Sequence, residues 1–182
     1  MEKKFNGIYL TDRIVFSFAG ALGYRKGVHL ILESMVEVAK QIPNSHLIIA
    51  GAGEYEQNLR AKISELELEK NTTFASWLDG AGLKELFYAS DVFLYPSISY
   101  EGWEEQFGYS MAEASLMEVP VISTSTGSIE DVVLDGKTGL LIKPDNTKDL
   151  VQAMVRLGGD KELRINLGKA GRKYIEENFN YP

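Results

Sequence analysis

The chain has 182 residues, 45% of them hydrophobic and 25% charged, enough for one domain with a real core. A formal net charge of −7 argues against a nucleic-acid partner, because phosphate backbones reward clustered Lys and Arg, and against a polybasic membrane contact. There is no cysteine, which excludes disulfides, thiolate catalysis and Cys-based zinc sites, and His29 and His46 are too few for a His-based metal site.

Residues 1–12, opening "MEKKFNGIYL", read as a lead-in, with the domain proper expected over 13–182. The basic start has no apolar stretch of a leader peptide, and runs such as "HLIIAGAG" fall far short of a membrane span. A cytoplasmic address is expected, and the glycosylation pattern Asn71-Thr72-Thr73 is read as chance. "RIVFSFAG" is a β-branched and aromatic strand run ending in glycine. "KGVHLILESMVEVAKQI" follows with Val28, Ile31, Leu32, Met35, Ala39 and Ile42 at helical spacing, stopped by Pro43 and Asn44. Then come "SHLIIAG" as strand, "EYEQNLRAKISELEL" as helix, "NTTFASW" as strand, "GLKELFYA" as helix and "DVFLYPS" as strand. "EEQFGYSMAE" opens a helix expected to reach about Glu118. "VPVISTS", "SIEDVV" and "TGLLI" alternate strand, helix, strand, and "NTKDLVQAMVRL" and "KELRINLGKAGRKYIEENF" are closing amphipathic helices.

Six apolar strands separated by helices predict an α/β fold: a Rossmann-like, doubly wound six-stranded parallel sheet covered on both faces. Ligands of such sheets bind outside the carboxyl ends of the strands, at the switch point. The turn "FAGALGYRKG" emerges there, with Gly20 for a tight exit, Gly27 for a close approach, and Arg25 and Lys26 ahead of the first long helix. It is neither GxGxxG nor a Walker pattern; it fits an anion site or two solvated basic residues. "AGAGEYE" is a weaker glycine turn, and Trp77 in "FASWLDG" either flanks a planar base or caps the core.

Glu105 and Glu113 pose a geometric question. If both were helical, eight residues would separate them by about 12 Å and about 80° beyond two turns. They converge only if the helix begins near Phe107 or Gly108, with Glu105 in the loop and Glu113 in the helix. The first N–H groups, at Gly108, Tyr109 and Ser110, would then face the same space. The alternative is an acid complementing the helix dipole plus an unrelated helical Glu.

The order "FAG…KG…LIIAGAGE…DVFLYPS…EEQFGYSMAEA…VPVISTSTGSIEDVV…DGKTGLLI" resembles the C-terminal, nucleotide-sugar-binding half of retaining glycosyltransferases of the GT-B fold, family 4, over roughly residues 12–181. Its most specific element is the Glu-x7-Glu motif, matched by Glu105 and Glu113. The resemblance implies that Glu105 binds the donor sugar and Glu113 the ribose. It implies backbone contacts from Phe107, Gly108, Tyr109 and Ser110 to sugar and diphosphate, and Lys26 neutralising the leaving diphosphate. The base would lie by Trp77, with Gly20 lining the donor site. The donor would be a UDP- or GDP-linked hexose, with no other cofactor, and there is no DxD motif of metal-dependent sugar transferases.

Two departures stand out. Where the family carries Gly-Arg-Leu the chain reads Gly20-Ala21-Leu22, so Arg25 is the expected replacement cation. The lead-in "YEGWEEQFG" adds Glu101 and Glu104 as competitors, though the spacing favours Glu105. The resemblance places the acceptor-binding, N-terminal domain outside this sequence, so little transfer is expected of this chain alone. The other readings are a noncatalytic nucleotide-binding or regulatory module, which Ala21 favours, and a GT-B epimerase relative.

Overall fold

The computed structural model describes residues 2–179. The end of the closing "ENFNYP", residues 180–182, lies outside them. A hairpin of β1 (Lys4–Phe5) and β2 (Ile8–Tyr9) precedes the main sheet. The hairpin lies within residues 1–12, expected as a lead-in. Asn6 and Gly7, at φ 47° and 77°, supply the left-handed pair that a two-residue hairpin turn needs. Phe5 and Leu10 are buried in the core, and β1 packs on α3 (Gly80–Ala89). Lys3 ties the segment down by pairing with Asp91 and donating to the Arg13 carbonyl at 2.8 Å.

The six expected strands form one parallel sheet: β3 (Ile14–Ala19), β4 (Ser45–Ala50), β5 (Thr72–Ala75), β6 (Val92–Tyr95), β7 (Val121–Thr124) and β8 (Gly139–Ile142). Their spatial order is β5-β4-β3-β6-β7-β8. The chain winds outward from β3 to one edge, returns to β6, and winds to the other edge. Right-handed crossovers after that reversal fall on the opposite face, which is why the strands are apolar throughout. Phe16, Phe18, Leu47, Ile48, Ile49, Phe93, Leu94 and Ile122 are all fully buried. Helix α1 (Val28–Gln41) packs on α2 (Glu56–Glu65) and α6 (Thr147–Gly159), and α4 (Tyr109–Leu116) on α7 (Lys161–Asn178). The short α5 (Ile129–Val132) links β7 to β8. The β3/β6 pair is the switch point.

The amino end of the sheet carries a pH-sensitive group away from that crevice. His46, on β4 opposite Val15, is buried, with Nε2 2.8 Å from Thr73 Oγ1 and Nδ1 unpartnered. Burial, reinforced by the Arg13 charge, holds its pKa down to about 4. An unfolded histidine titrates near 6.5, so between about 6.5 and 4 the unfolded chain takes up a proton that the native state excludes. Stability is therefore expected to fall by about 1–3 kcal/mol as pH drops through that window. Urea unfolding of wild type and His46→Gln at pH 7 and pH 4.5 checks it. An unchanged difference between the two proteins at both pH values would remove His46 as the cause.

Candidate functional site

A cavity of about 480 Å³ opens at the carboxyl edge of β3 and β6. Ala19 and Gly20 leave β3 into it, Ala50 and Gly51 leave β4, and Tyr95 ends β6. Glu105, Phe107, Gly108, Tyr109, Ser110 and Glu113 line it from the other side. The helix begins where the two glutamates require it. Gly108 is the cap of α4 at φ 69° and Tyr109 its first residue. Glu105 therefore stays in the loop and Glu113 stands one turn into the helix. No side chain caps α4, so its first turn carries the positive end of the helix dipole toward the cavity.

The loop before α4 is held by hydroxyls and backbone of the neighbouring strand and turn. Ser123 Oγ donates to the Tyr95 carbonyl at 2.6 Å, and Thr124 Oγ1 to the Ser97 carbonyl at 2.5 Å. Ser128 N donates to the Glu105 carbonyl at 2.9 Å. These bonds fix the backbone that carries Glu105. The residue is 7% exposed, and its Oε2 accepts from Lys26 Nζ at 2.5 Å and from Ser97 Oγ at 3.1 Å. Lys26 also donates to Tyr95 Oη at 2.7 Å, and its ammonium lies 5.0 Å from the centroids of Tyr95 and Trp103. Burial lowers the Lys26 pKa from the ordinary lysine value, against the opposing pull of the Glu105 hydrogen bond and charge. Burial, then the Glu105 charge, pushes the Tyr95 phenol up, so it stays neutral beside the pair. The result is a desolvated cation and anion held at the mouth of the switch point.

Most sequence candidates converge. Gly20, Lys26, Trp77, Glu105, Phe107, Gly108, Tyr109, Ser110 and Glu113 all line this one cavity. Trp77 is 67% exposed beside Leu78 and Leu83, so it forms a flat wall and does not cap the core. Glu113 makes no side-chain hydrogen bond or ion pair among the described residues. Arg25 is the exception. It does not line this cavity, and its guanidinium carbon sits 4.2 Å over the Trp103 ring. Arg25 and Lys26 are consecutive in a 3₁₀ turn, Tyr24–Lys26, where neighbouring side chains diverge by about 120°. Only one of the two faces inward, and it is Lys26. Tyr95, Ser97 and Trp103 are site residues that sequence reasoning missed. The position of Tyr95 and Ser97 at the carboxyl end of "DVFLYPS" was the available signal for the first two.

The described residues thus form a doubly wound domain with a cavity at its switch point, the fold of the C-terminal half of a GT-B glycosyltransferase. The model of the family Glycosyl transferases group 1 matches residues 2–174, and the chain belongs to that family. It is 27% identical over 180 residues to the capsular polysaccharide biosynthesis glycosyltransferase CapM of Staphylococcus aureus, covering 99% of this chain and 46% of that protein. Alr3699/HepE of Anabaena, solved with UDP-glucose, superposes with a TM-score of 0.84 at 22% identity, over 93% of this chain and 46% of that one. The C-terminal domain of the group 1 glycosyltransferase LpcC of Francisella tularensis gives a TM-score of 0.81 at 19% identity, over 93% of this chain and 87% of that one. The chain spans about half the length of curated relatives such as CapM. No helix among the described residues is long and apolar enough to cross a membrane.

Proposed function

We propose that this chain is the donor-binding domain of a retaining glycosyltransferase, which transfers a hexose from a UDP- or GDP-linked donor to a sugar, lipid or protein acceptor. The observation that carries the reading is the convergence of Glu105, Lys26, Glu113 and the first turn of α4 on one cavity. The base lies against Trp77, with the Ala50-Gly51 backbone below it. Glu113, one turn up α4, accepts from the ribose hydroxyls. The diphosphate rests at the α4 amino end, where fixed N–H dipoles favour an anion. Glu105 keeps Oε2 on Lys26 and Ser97 and offers its other oxygen to the sugar hydroxyls.

Cleavage of the sugar–phosphate bond builds charge on the departing diphosphate. A preorganised ammonium in a water-poor site stabilises that charge without reorganising at the moment of reaction. Lys26 is that group, already oriented by Glu105 and Tyr95. The acceptor half of the fold is proposed to come from a second domain, so transfer by this chain alone is expected to be small. One observation favours a second reading, a nucleotide-binding module without transfer. Ala21 carries no cation, and Arg25 faces away from the diphosphate position.

Thermal shift with UDP, GDP, ADP and their hexose conjugates tests the donor reading. A matched nucleotide at one hundred times its Kd stabilises by about 2.7 kcal/mol, or roughly 5–10 °C for a domain of this size. Glu113→Ala is expected to bind about tenfold to a hundredfold more weakly, since it loses hydrogen bonds to a charged acceptor, and to lose about half or more of that shift. Equal stabilisation of variant and wild type would sink the ribose role. Absence of any nucleotide shift in the wild type would sink the donor reading.

A further inference from the structure

One wall of the donor cavity is a stretch of chain that no backbone hydrogen bond holds. Gln106 and Phe107 both line the cavity, and neither makes a backbone hydrogen bond among the described residues. The bonds resume on either side, where the Glu105 carbonyl accepts from Ser128 N and the Gly108 carbonyl from Met111 N, each at 2.9 Å. Gln106 is exposed and Phe107 is half-buried against the core, so the packing of the Phe107 side chain is what places this stretch.

Two rings meet that of Phe107. Tyr109, at 5.0 Å between centroids, is only two residues on and 68% exposed, a local contact. Phe179 is the contact from afar. Its ring meets Phe107 at 5.3 Å and 70°, an edge-to-face pair in the favourable range. Phe179 stands just past the end of α7, where its N–H donates to the Ile175 carbonyl at 3.0 Å. Tyr174 braces it at 5.9 Å and 74°, and Tyr174 Oη in turn donates to the Asp131 carbonyl at 3.0 Å. α7 itself is seated tightly just past the end of α4, since a Cβ on Gly168 would lie 2.0 Å from the Glu118 carbonyl oxygen.

The docking of α7 does not need this ring. Leu167 and Ile175 are its buried apolar side chains, whereas Phe179 is half-buried beyond the last turn, against the cavity wall. Phe179 does not itself line the cavity. We propose that Phe179 is a positioning residue for the donor site: it holds the Phe107 ring, and through that ring sets where the backbone of residues 106–108 stands against the cavity. The backbone contacts to the diphosphate then depend on a side chain that touches no ligand. The order of the stretch follows from packing alone. Its consequence for nucleotide affinity rests on the donor reading.

¹⁵N relaxation and nucleotide titration of the full chain test it. In Phe179→Ala the order parameters of Gln106, Phe107 and Gly108 are expected to fall from about 0.85, typical of rigid backbone, to about 0.6 or below, while those of the main sheet hold. The Kd for UDP or GDP, whichever the wild type binds, is expected to rise about threefold to tenfold, the weight of one aromatic pair. Phe107→Leu removes the ring that Phe179 meets, so adding Phe179→Ala to it is expected to change the Kd by less than about twofold. Urea unfolding shows that each variant is folded. A merely structural Phe179 would lower stability and leave loop order and Kd as in the wild type. Unchanged order overturns the proposal, as does an unchanged Kd, or an equal fold-change with and without the Phe107 ring. If the wild type binds neither UDP nor GDP, the donor reading fails, and the order parameters alone decide the positioning role.

Discussion

Lys26→Ala is expected to cost about 3–5 kcal/mol of stability and to abolish measurable diphosphate binding. The stability loss comes less from the missing attraction than from what is left behind. Glu105 is 7% exposed, and without Lys26 its carboxylate is left with neutral hydroxyls alone, Ser97 at 3.1 Å and the Tyr95 phenol beside it. A buried charge stripped of its partner carries most of its desolvation penalty uncompensated. For a chain of this length the change amounts to a fall in Tm of roughly 6–20 °C. The double variant Lys26→Ala/Glu105→Gln separates the two roles. Removing the stranded charge is expected to restore most of the stability, while nucleotide diphosphate affinity stays lost because the cation is still absent. Urea denaturation reads the first effect and titration with the preferred nucleotide the second. If the double variant is no more stable than Lys26→Ala, the stranded-carboxylate account fails. If the single variant binds the diphosphate normally, Lys26 is not its counter-charge.

Gly27→Ala is expected to be comparably damaging for a steric reason. Gly27 sits at φ 69° between the 3₁₀ turn and α1, and a Cβ there would lie 2.0 Å from the Pro96 carbonyl oxygen. That close approach lets the start of α1 dock on the end of β6 and carries Lys26 to Glu105. An alanine must push the helix start away from the strand end, so both the core contact and the ion pair suffer. A loss of about 3 kcal/mol or more is expected, of which about 1–2 kcal/mol belongs to the left-handed backbone itself. Gly136→Ala supplies the comparison, since Gly136 has nearly the same φ, 68°, and nothing within 4 Å of a built Cβ. Thermal unfolding of the two variants isolates the clash. Equal losses would mean that contact with Pro96 contributes nothing.

Much of this was legible in the sequence because it is local. β-branched runs of four to six residues and helical spacing such as Val28, Ile31, Leu32 and Met35 mark elements within a few residues of themselves. The spacing of Glu105 and Glu113 also made a checkable demand, a helix start near Gly108, and α4 begins at Tyr109. The hairpin at residues 4–9 was not read from the sequence: Asn6-Gly7 is the standard sign of a two-residue turn, but strands of two residues, one of them opening on Lys4, carry too little apolar pattern to show.

Residue order alone specifies the alternation of strands and helices, the burial of both sheet faces, and the residues that compete for the crevice. Which of two adjacent cations enters it was decided only in three dimensions. Lys26 meets Glu105 across 79 residues of chain, and no local pattern encodes that distance. The turn that aims Lys26 inward necessarily aims Arg25 elsewhere, onto Trp103, a residue whose position depends on a hairpin closed far along the chain. Local propensity sets where elements begin and end. The facing of single side chains is set by the packing of elements brought together from distant parts of the sequence.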